Sequence, residues 1–231
     1  MGTIIGIGGG FGGQDQLALA RQIIQLSGKE QPNVLHIPTT RYDDPDTSII
    51  SLFSRLDCDV DVLCVTHPYI TEEMIAAMIR RADIIHVPGG NLKYVMQKWK
   101  KTNTVKYLKE AYADGKILFG ASSGSMCWFQ EGYDDCGPEG EFMFVECLGL
   151  LHYCNVPHYE GRNWQSFNEV ASTRSVSAIC CENDAAVMFR DGKCSLLIAG
   201  DSPDARVWFF DKDNNFKRVD LTQHPEIVER L

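Results

Sequence analysis

The sequence predicts an α/β fold, a mostly parallel sheet with helices on both faces. Over residues 4–119 short apolar runs alternate with segments of helical period, the pattern of repeated βα units. The apolar runs are near-continuous rather than alternating, as strands covered on both faces require. Beyond residue 170 the spacing shortens and a hairpin signal appears, so extra antiparallel strands are expected near the C-terminus.

The elements follow in order. Ile4–Gly8 reads as a strand and Asp15–Leu26 as a helix, then Val34–Pro38 as a strand and Thr47–Leu56 as a helix. Val60–Val65 is the third strand. Thr71 is placed to cap a helix that carries Glu72 and Glu73 in its first turn and runs to Arg81, where acids suit the positive end of the dipole. Ile84–Val87 is the fourth strand, Leu92–Lys101 and Val105–Ala113 are helical, and Ile117–Phe119 is the fifth strand. A short helix is expected over Ser125–Phe129, a polar loop over Glu131–Glu146 and a helix over Trp164–Val170. Val176–Cys180, Ala185–Phe189, Ser195–Ala199 and Val207–Phe210 complete the strands, with Asp191-Gly192 as a hairpin turn.

The 231 residues form a single domain, 1–231, with 44% hydrophobic and 23% charged residues, the proportions of a globular protein with a sizeable core. A formal net charge of −9 and no basic cluster interleaved with aromatics argue against nucleic acid or an anionic membrane as partner. No apolar run is long enough to span a bilayer, and the chain opens directly into a strand. Nine cysteines without a C-x-x-C spacing read as reduced thiols in a cytoplasmic setting. No metal-ligand spacing occurs, and no metal or cofactor is expected. Oligomeric state is not readable.

Residues 117–129 carry the chemistry. The strand Ile117–Phe119 enters Gly120-Ala121-Ser122-Ser123-Gly124, a G-x-S-x-G match followed by a helical segment. Strand, tight turn and helix are what a nucleophile elbow needs, because the turn lifts the serine Oγ clear of the backbone. Ser122 needs a base. His158 follows Pro157, which fixes the backbone before it; His152 and His67 are the next candidates, while His36 and His86 fall inside strands. A carboxylate should hold the imidazole tautomer, and Asp134-Asp135 is the best-placed pair. Oxyanion donors are expected from the N–H of Ser123 and from Pro88-Gly89-Gly90-Asn91 after the fourth strand, where glycines let a ligand approach the backbone. Gly8-Gly9-Gly10-Phe11-Gly12-Gly13 satisfies G-x-G-x-x-G, but the second strand ends in Ile37-Pro38-Thr39-Thr40 without the acid that a dinucleotide site requires. That loop is expected to line a substrate cleft instead.

Together these segments, with Cys127-Trp128-Phe129, Leu148-Gly149-Leu150, Pro157-His158-Tyr159 and Ala185-Ala186, resemble the serine peptidase family of dipeptidase E (alpha-aspartyl dipeptidase) and cyanophycinase, nearest to its Gram-positive-type members. The resemblance runs over nearly the whole chain. It implies a class I glutamine amidotransferase-like, flavodoxin-related sheet and a peptidase acting on short peptides. It implies Ser122 as nucleophile, His158 as base and Asp135 as the acid, with Ser123 and the Gly89-Gly90-Asn91 turn holding the substrate oxygen. The elbow reads Ser122-Ser123-Gly124-Ser125 where the family has Ser-Ala-Gly-Ala, Pro88 replaces a third glycine, and no arginine matches the one used for an aspartyl substrate. An esterase or amidase on the same residues, or a non-catalytic ligand-binding relative, are the alternatives.

Overall fold

The first half of the chain builds a sheet by the βα units its apolar runs dictate. The computed structural model describes residues 1–10 and 13–231. In chain order these are β1 (Thr3–Ile7), α1 (Gly13–Ser27), β2 (Asn33–His36), α2 (Thr47–Ser54), β3 (Asp59–Val62), α3 (Glu72–Arg81), β4 (Ile84–Val87), α4 (Leu92–Lys101), α5 (Thr104–Ala113) and β5 (Ile117–Ala121). The Thr71 hydroxyl caps α3 by accepting the N–H of Met74, with Glu72 and Glu73 in the first turn and Arg80 and Arg81 in the last. Strands β1, β5, β4, β2 and β3 lie side by side in parallel.

The second half departs from the expected single sheet. It contributes α6 (Ser123–Met126), β6 (Phe129–Asp134), β7 (Met143–Glu146), β8 (Leu151–Val156), α7 (Phe167–Val170), β9 (Ala178–Cys181), β10 (Ala185–Arg190), β11 (Lys193–Ile198), β12 (Val207–Asp211), β13 (Lys217–Asp220) and α8 (Pro225–Val228). Only β10 and β11 extend the first sheet, in the order β11-β10-β1-β5-β4-β2-β3. They join antiparallel, and Asp191 and Gly192 take the positive φ of the predicted hairpin turn. The others form a second sheet, β13-β12-β9-β8-β6-β7, also mixed. Both sheets are therefore mixed, and helices accompany them.

The segment 131–146, expected as a polar loop, is largely β6 and β7. Two of its acids, Glu131 and Asp134, are buried with partners rather than solvated. Glu131 is paired with Arg174, whose guanidinium lies 3.9 Å from the centre of the Phe144 ring, and Asp134 accepts the N–H of Leu92. The helix expected over Ser125–Phe129 is the single turn α6, and Phe129 already belongs to β6.

The core follows the two-residue period of the strands. Ile5, Ile117 and Phe119 face Leu19, Ile23, Leu52 and Phe53 of α1 and α2. Ile4 and Leu118 face the opposite side, towards Ile75 and Ile79 of α3, Trp99 of α4, and Phe129, Ile179 and Phe209 of the second sheet.

Within the first sheet, His36 and His86 are direct partners on β2 and β4. Their Nδ1 atoms are 2.8 Å apart. His36 Nε2 accepts the N–H of Asp46, so its proton sits on Nδ1 and is donated to His86 Nδ1. Burial holds both below the ordinary imidazole value of 6.5, His36 at about 4. The folded pair thus refuses protons that the unfolded chain accepts. Its stabilising contribution is complete above pH 6.5 and is lost as pH falls through 6.5 towards about 4. Denaturant titrations should show the native state weakening over that window. The variant His86→Phe, although less stable at neutral pH, should lose less on acidification; equal losses would place the acid sensitivity elsewhere.

Candidate active site

The candidate site is assembled on the last residues of β1. The backbone N–H of Ser122 donates to the carbonyl of Ile7 at 3.0 Å, and that of His158 donates to the next carbonyl, Gly8, at 3.2 Å. Two consecutive peptide units thus carry the two residues that chemistry requires together. Ser122 arrives on β5, which runs parallel to β1. His158 arrives from β8 of the second sheet, and the neighbouring N–H of Tyr159 donates to Cys181 O at 3.1 Å.

Both residues hold the left-handed backbone that side chains avoid. Ser122 has φ 56° and ψ −125°, and His158 has φ 50°. Such conformations cost about 1–3 kcal/mol each and persist where the surroundings over-determine them. At Ser122 the turn into α6 is that of an elbow, and the half-buried hydroxyl has no hydrogen-bond partner among the described residues. Gly124 lets α6 start there, since a β-carbon would overlap the Val87 carbonyl. Below the elbow, Ser125 Oγ donates to Asn155 Oδ1 (2.8 Å), and Asn155 Nδ2 donates to Ile179 O (3.1 Å), tying α6 to the second sheet.

Peptide N–H groups converge on the serine. Those of Gly89, Gly90 and Ser123 have no acceptor among the described residues. A β-carbon built on Gly89 would lie 3.2 Å from Ser122 Cβ and 3.7 Å from Oγ, so this turn stands beside the serine. The turn is held from behind by Thr40: its Oγ1 donates to Pro88 O at 2.8 Å, and its carbonyl accepts the N–H of Asn91 at 2.8 Å. The Asn91 side chain, expected to meet a ligand, caps α4 by accepting the N–H of Tyr94 at 2.8 Å. The Tyr42 and Tyr94 rings pack next to it, tilted, with centroids 4.5 Å apart, and Tyr42 is 62% exposed.

The partner of His158 is not the expected one. His158 Nδ1 is 2.7 Å from Asn183 Oδ1. An amide oxygen only accepts, so Nδ1 carries the proton and Nε2 presents a lone pair. The N–H of Asn183 in turn donates to Glu160 Oε2 at 2.9 Å, and the Trp164 ring packs 5.3 Å from the imidazole. Asp135 is exposed and no hydrogen bond joins it to His158. Asp134, its alternative, is buried at the other side of the elbow against Ser123 and Leu92. The sheet order explains this. β6 ends beside α4, whereas the turn between β9 and β10 brings Asn183 to β1. Sequence reading missed Asn183, because nothing local marks an asparagine in a turn as the neighbour of a histidine 25 residues earlier.

The glycine-rich loop finds its physical role here. A β-carbon on Gly9 would overlap Asn183 Oδ1 and stand 3.1 Å from His158 Nδ1. The chain needs glycine there for the imidazole and the amide to pack on β1. Phe11 and Gly12 of that motif lie outside the described residues.

The remaining histidines lie elsewhere. His67 and His152 are exposed, and His224 pairs with Glu226. Burial pushes the Cys127 thiol, five residues past Ser122, well above its ordinary range, so it is no thiolate nucleophile. Among the described residues no group of three His, Cys, Asp or Glu side chains is placed to hold a metal, and no helix is long and apolar enough to cross a membrane.

Comparisons with known proteins agree with this architecture. The model of peptidase family S51 matches residues 4–198. The chain is similar to the uncharacterized peptidase YgaJ of Bacillus subtilis (strain 168), 28% identical over 186 residues, covering 78% of this chain and 79% of that one. It is also similar to the uncharacterized peptidase Lin0382 of Listeria innocua, 28% identical over 56% of this chain and 66% of that one. Among solved structures, a candidate peptidase E protein from Listeria monocytogenes EGD-e superposes with a TM-score of 0.67 at 17% identity, over 87% of this chain and 100% of that one. A peptidase from an acI-B1 Actinobacterium superposes with a TM-score of 0.70 at 16% identity, over 95% and 94%. At these identities the structural likeness speaks to the fold.

Gly9→Ala isolates the loop's role. The variant should fold but displace Asn183 from His158, which the imidazole resonances of His158 would report. Unchanged His158 resonances would separate the loop from the histidine.

Proposed function

We propose, from the premise that the chain belongs to peptidase family S51, that it is a serine peptidase cleaving short peptides through an acyl-enzyme on Ser122. The observation that carries the reading is the docking of Ser122 and His158 on the consecutive carbonyls of Ile7, the last residue of β1, and Gly8, the next, both in strained backbone, beside amides unpartnered among the described residues.

In this mechanism Ser122 Oγ attacks the scissile carbonyl carbon while His158 Nε2 takes its proton. The carbonyl oxygen becomes an oxyanion among the N–H groups of Ser123, Gly89 and Gly90. His158 returns the proton to the leaving amine as the C–N bond breaks, which leaves an ester on Ser122. Water, deprotonated by His158, then attacks that ester; as the C–O bond to Ser122 breaks, His158 returns the proton to Oγ and the carboxylic acid is released. Asn183 does what the resemblance gave to Asp135: it holds the Nδ1–H tautomer and aims Nε2 at the serine. It is neutral, so it orients the imidazolium without the charge stabilisation of a carboxylate.

The parallel run β1-β5-β4-β2-β3 supports the class I glutamine amidotransferase-like, flavodoxin-related assignment, which belongs to the same reading. So does a cytoplasmic setting, in keeping with nine unpaired cysteines. No aspartyl preference is part of the proposal.

A fluorophosphonate probe tests it. Labelling should map to Ser122 and vanish in Ser122→Ala. His158→Ala should slow it by about 10²–10⁴-fold, the usual worth of a positioned base. Failure of the folded protein to label would end the hydrolase reading and favour a ligand-binding relative. On peptide substrates, Asn183→Ala should cost more in kcat than Asp135→Asn; the reverse order would return the orienting role to Asp135.

A further inference from the structure

Asp134 is the one acid at the elbow that the mechanism leaves unused. It ends β6 and is 1% exposed, yet it has no cationic partner among the described residues. One oxygen, Oδ2, accepts the N–H of Leu92, the first residue of α4, at 3.2 Å, and lies 3.4 Å from Ser123 Oγ. The Ser123 hydroxyl donates to Gly90 O at 2.8 Å. The carboxylate thus touches both sides of the amide cluster, the turn 88–91 through its helix and the elbow through its second serine. We propose that Asp134 is a positioning residue for the oxyanion site: as a carboxylate it clamps the start of α4 to the elbow and so keeps the Gly89, Gly90 and Ser123 amides aligned on Ser122.

The clamp depends on charge. An anion at the N-terminus of the ten-residue α4 is held by the dipole as well as by the Leu92 N–H. Protonation removes that attraction. The groups facing Asp134 are the Leu92 amide from α4, the Ser123 hydroxyl from α6, Asp135 and the Cys136 thiol beyond its own strand, and Cys147 beyond β7. Burial, followed by the charge of Asp135, pushes its carboxyl up to about 6. Amide alignment is therefore retained above that pH and lost as pH falls through it. The oxyanion site then has an acid-side titration of its own, besides that of the base.

The inference rests on the serine peptidase reading for its catalytic meaning, but its structural half is tested without a substrate. In amide NMR spectra recorded from neutral pH down to about 4.5, Gly89, Gly90, Leu92 and Ser123 should titrate together with a midpoint of about 6. In Asp134→Asn, which keeps the shape, they should stay flat. Wild-type amides that do not titrate together would overturn the clamp. Fluorophosphonate labelling of Ser122 should be about tenfold slower or more in Asp134→Asn, within the range for a misplaced oxyanion donor, and its acid limb should lose one proton in steepness. A rate within about twofold of wild type on an unchanged limb would refute the positioning role. Ser123→Ala, which keeps the N–H but removes the link to Gly90 and Asp134, should slow labelling in the same direction. A wild type that never labels would sink the hydrolase reading alone, because the NMR titration still decides on Asp134.

Discussion

Everything at the candidate site hangs from the C-terminal end of β1. Two successive carbonyls, Ile7 and Gly8, receive the amides of Ser122 and His158. Adjacent peptide units are separated by a fixed covalent distance, so the relative placement of the Ser122 and His158 backbones is tied to one stretch of chain. β1 can serve in this way because it lies inside the sheet, parallel to β5 on one side and antiparallel to β10 on the other. The turn before β10 then delivers Asn183 to the same strand end. A side chain at Gly9 would displace Asn183 from that strand end.

The second constraint is polar. The region between the two sheets holds buried, specifically partnered groups: Ser125 with Asn155, and Asp134 with Leu92 and Ser123. Each such bond adds only about 0.5–1.5 kcal/mol net when formed, but leaving one partner buried and unpaired costs more. They therefore select one docking of the second sheet on the first more strongly than they stabilise it. The elbow sits on this junction, which is why a one-turn helix, α6, can hold a strained serine.

Much of the fold was legible because periodicity is a property of each segment alone. The run of βα units from Ile4 to Ala121, the cap at Thr71 and the turn at Asp191-Gly192 follow from local rules. The second sheet was not legible, since β6 carries Glu131 and Asp134, whose burial depends on Arg174 and on the start of α4. The same limit applies to the site. Ser122, Ser123, Gly89 and Gly90 announce themselves through turn chemistry, and His158 through Pro157. The partner of His158 depends on which strand end meets which, and no local pattern distinguishes Asn183 from any turn asparagine. The tandem acids drew the search towards a carboxylate that the sheet order carries to the far side of the elbow.

The origin of the groups on β1 has a consequence for synthesis. The chain leaves the ribosome from its N-terminus, and a domain folds as a unit. β1 appears first, but its partners follow in the order Ser122, His158, Asn183, and β10, which pairs along β1, comes after them all. A nascent chain that has already exposed its serine still lacks the imidazole, the amide that orients it and the strand that flanks them. A chain assembled in this order brings Ser122, His158 and Asn183 together only after residue 183 has emerged, about four-fifths of the way along the 231 residues. The timing follows from the order in which one strand end acquires its neighbours.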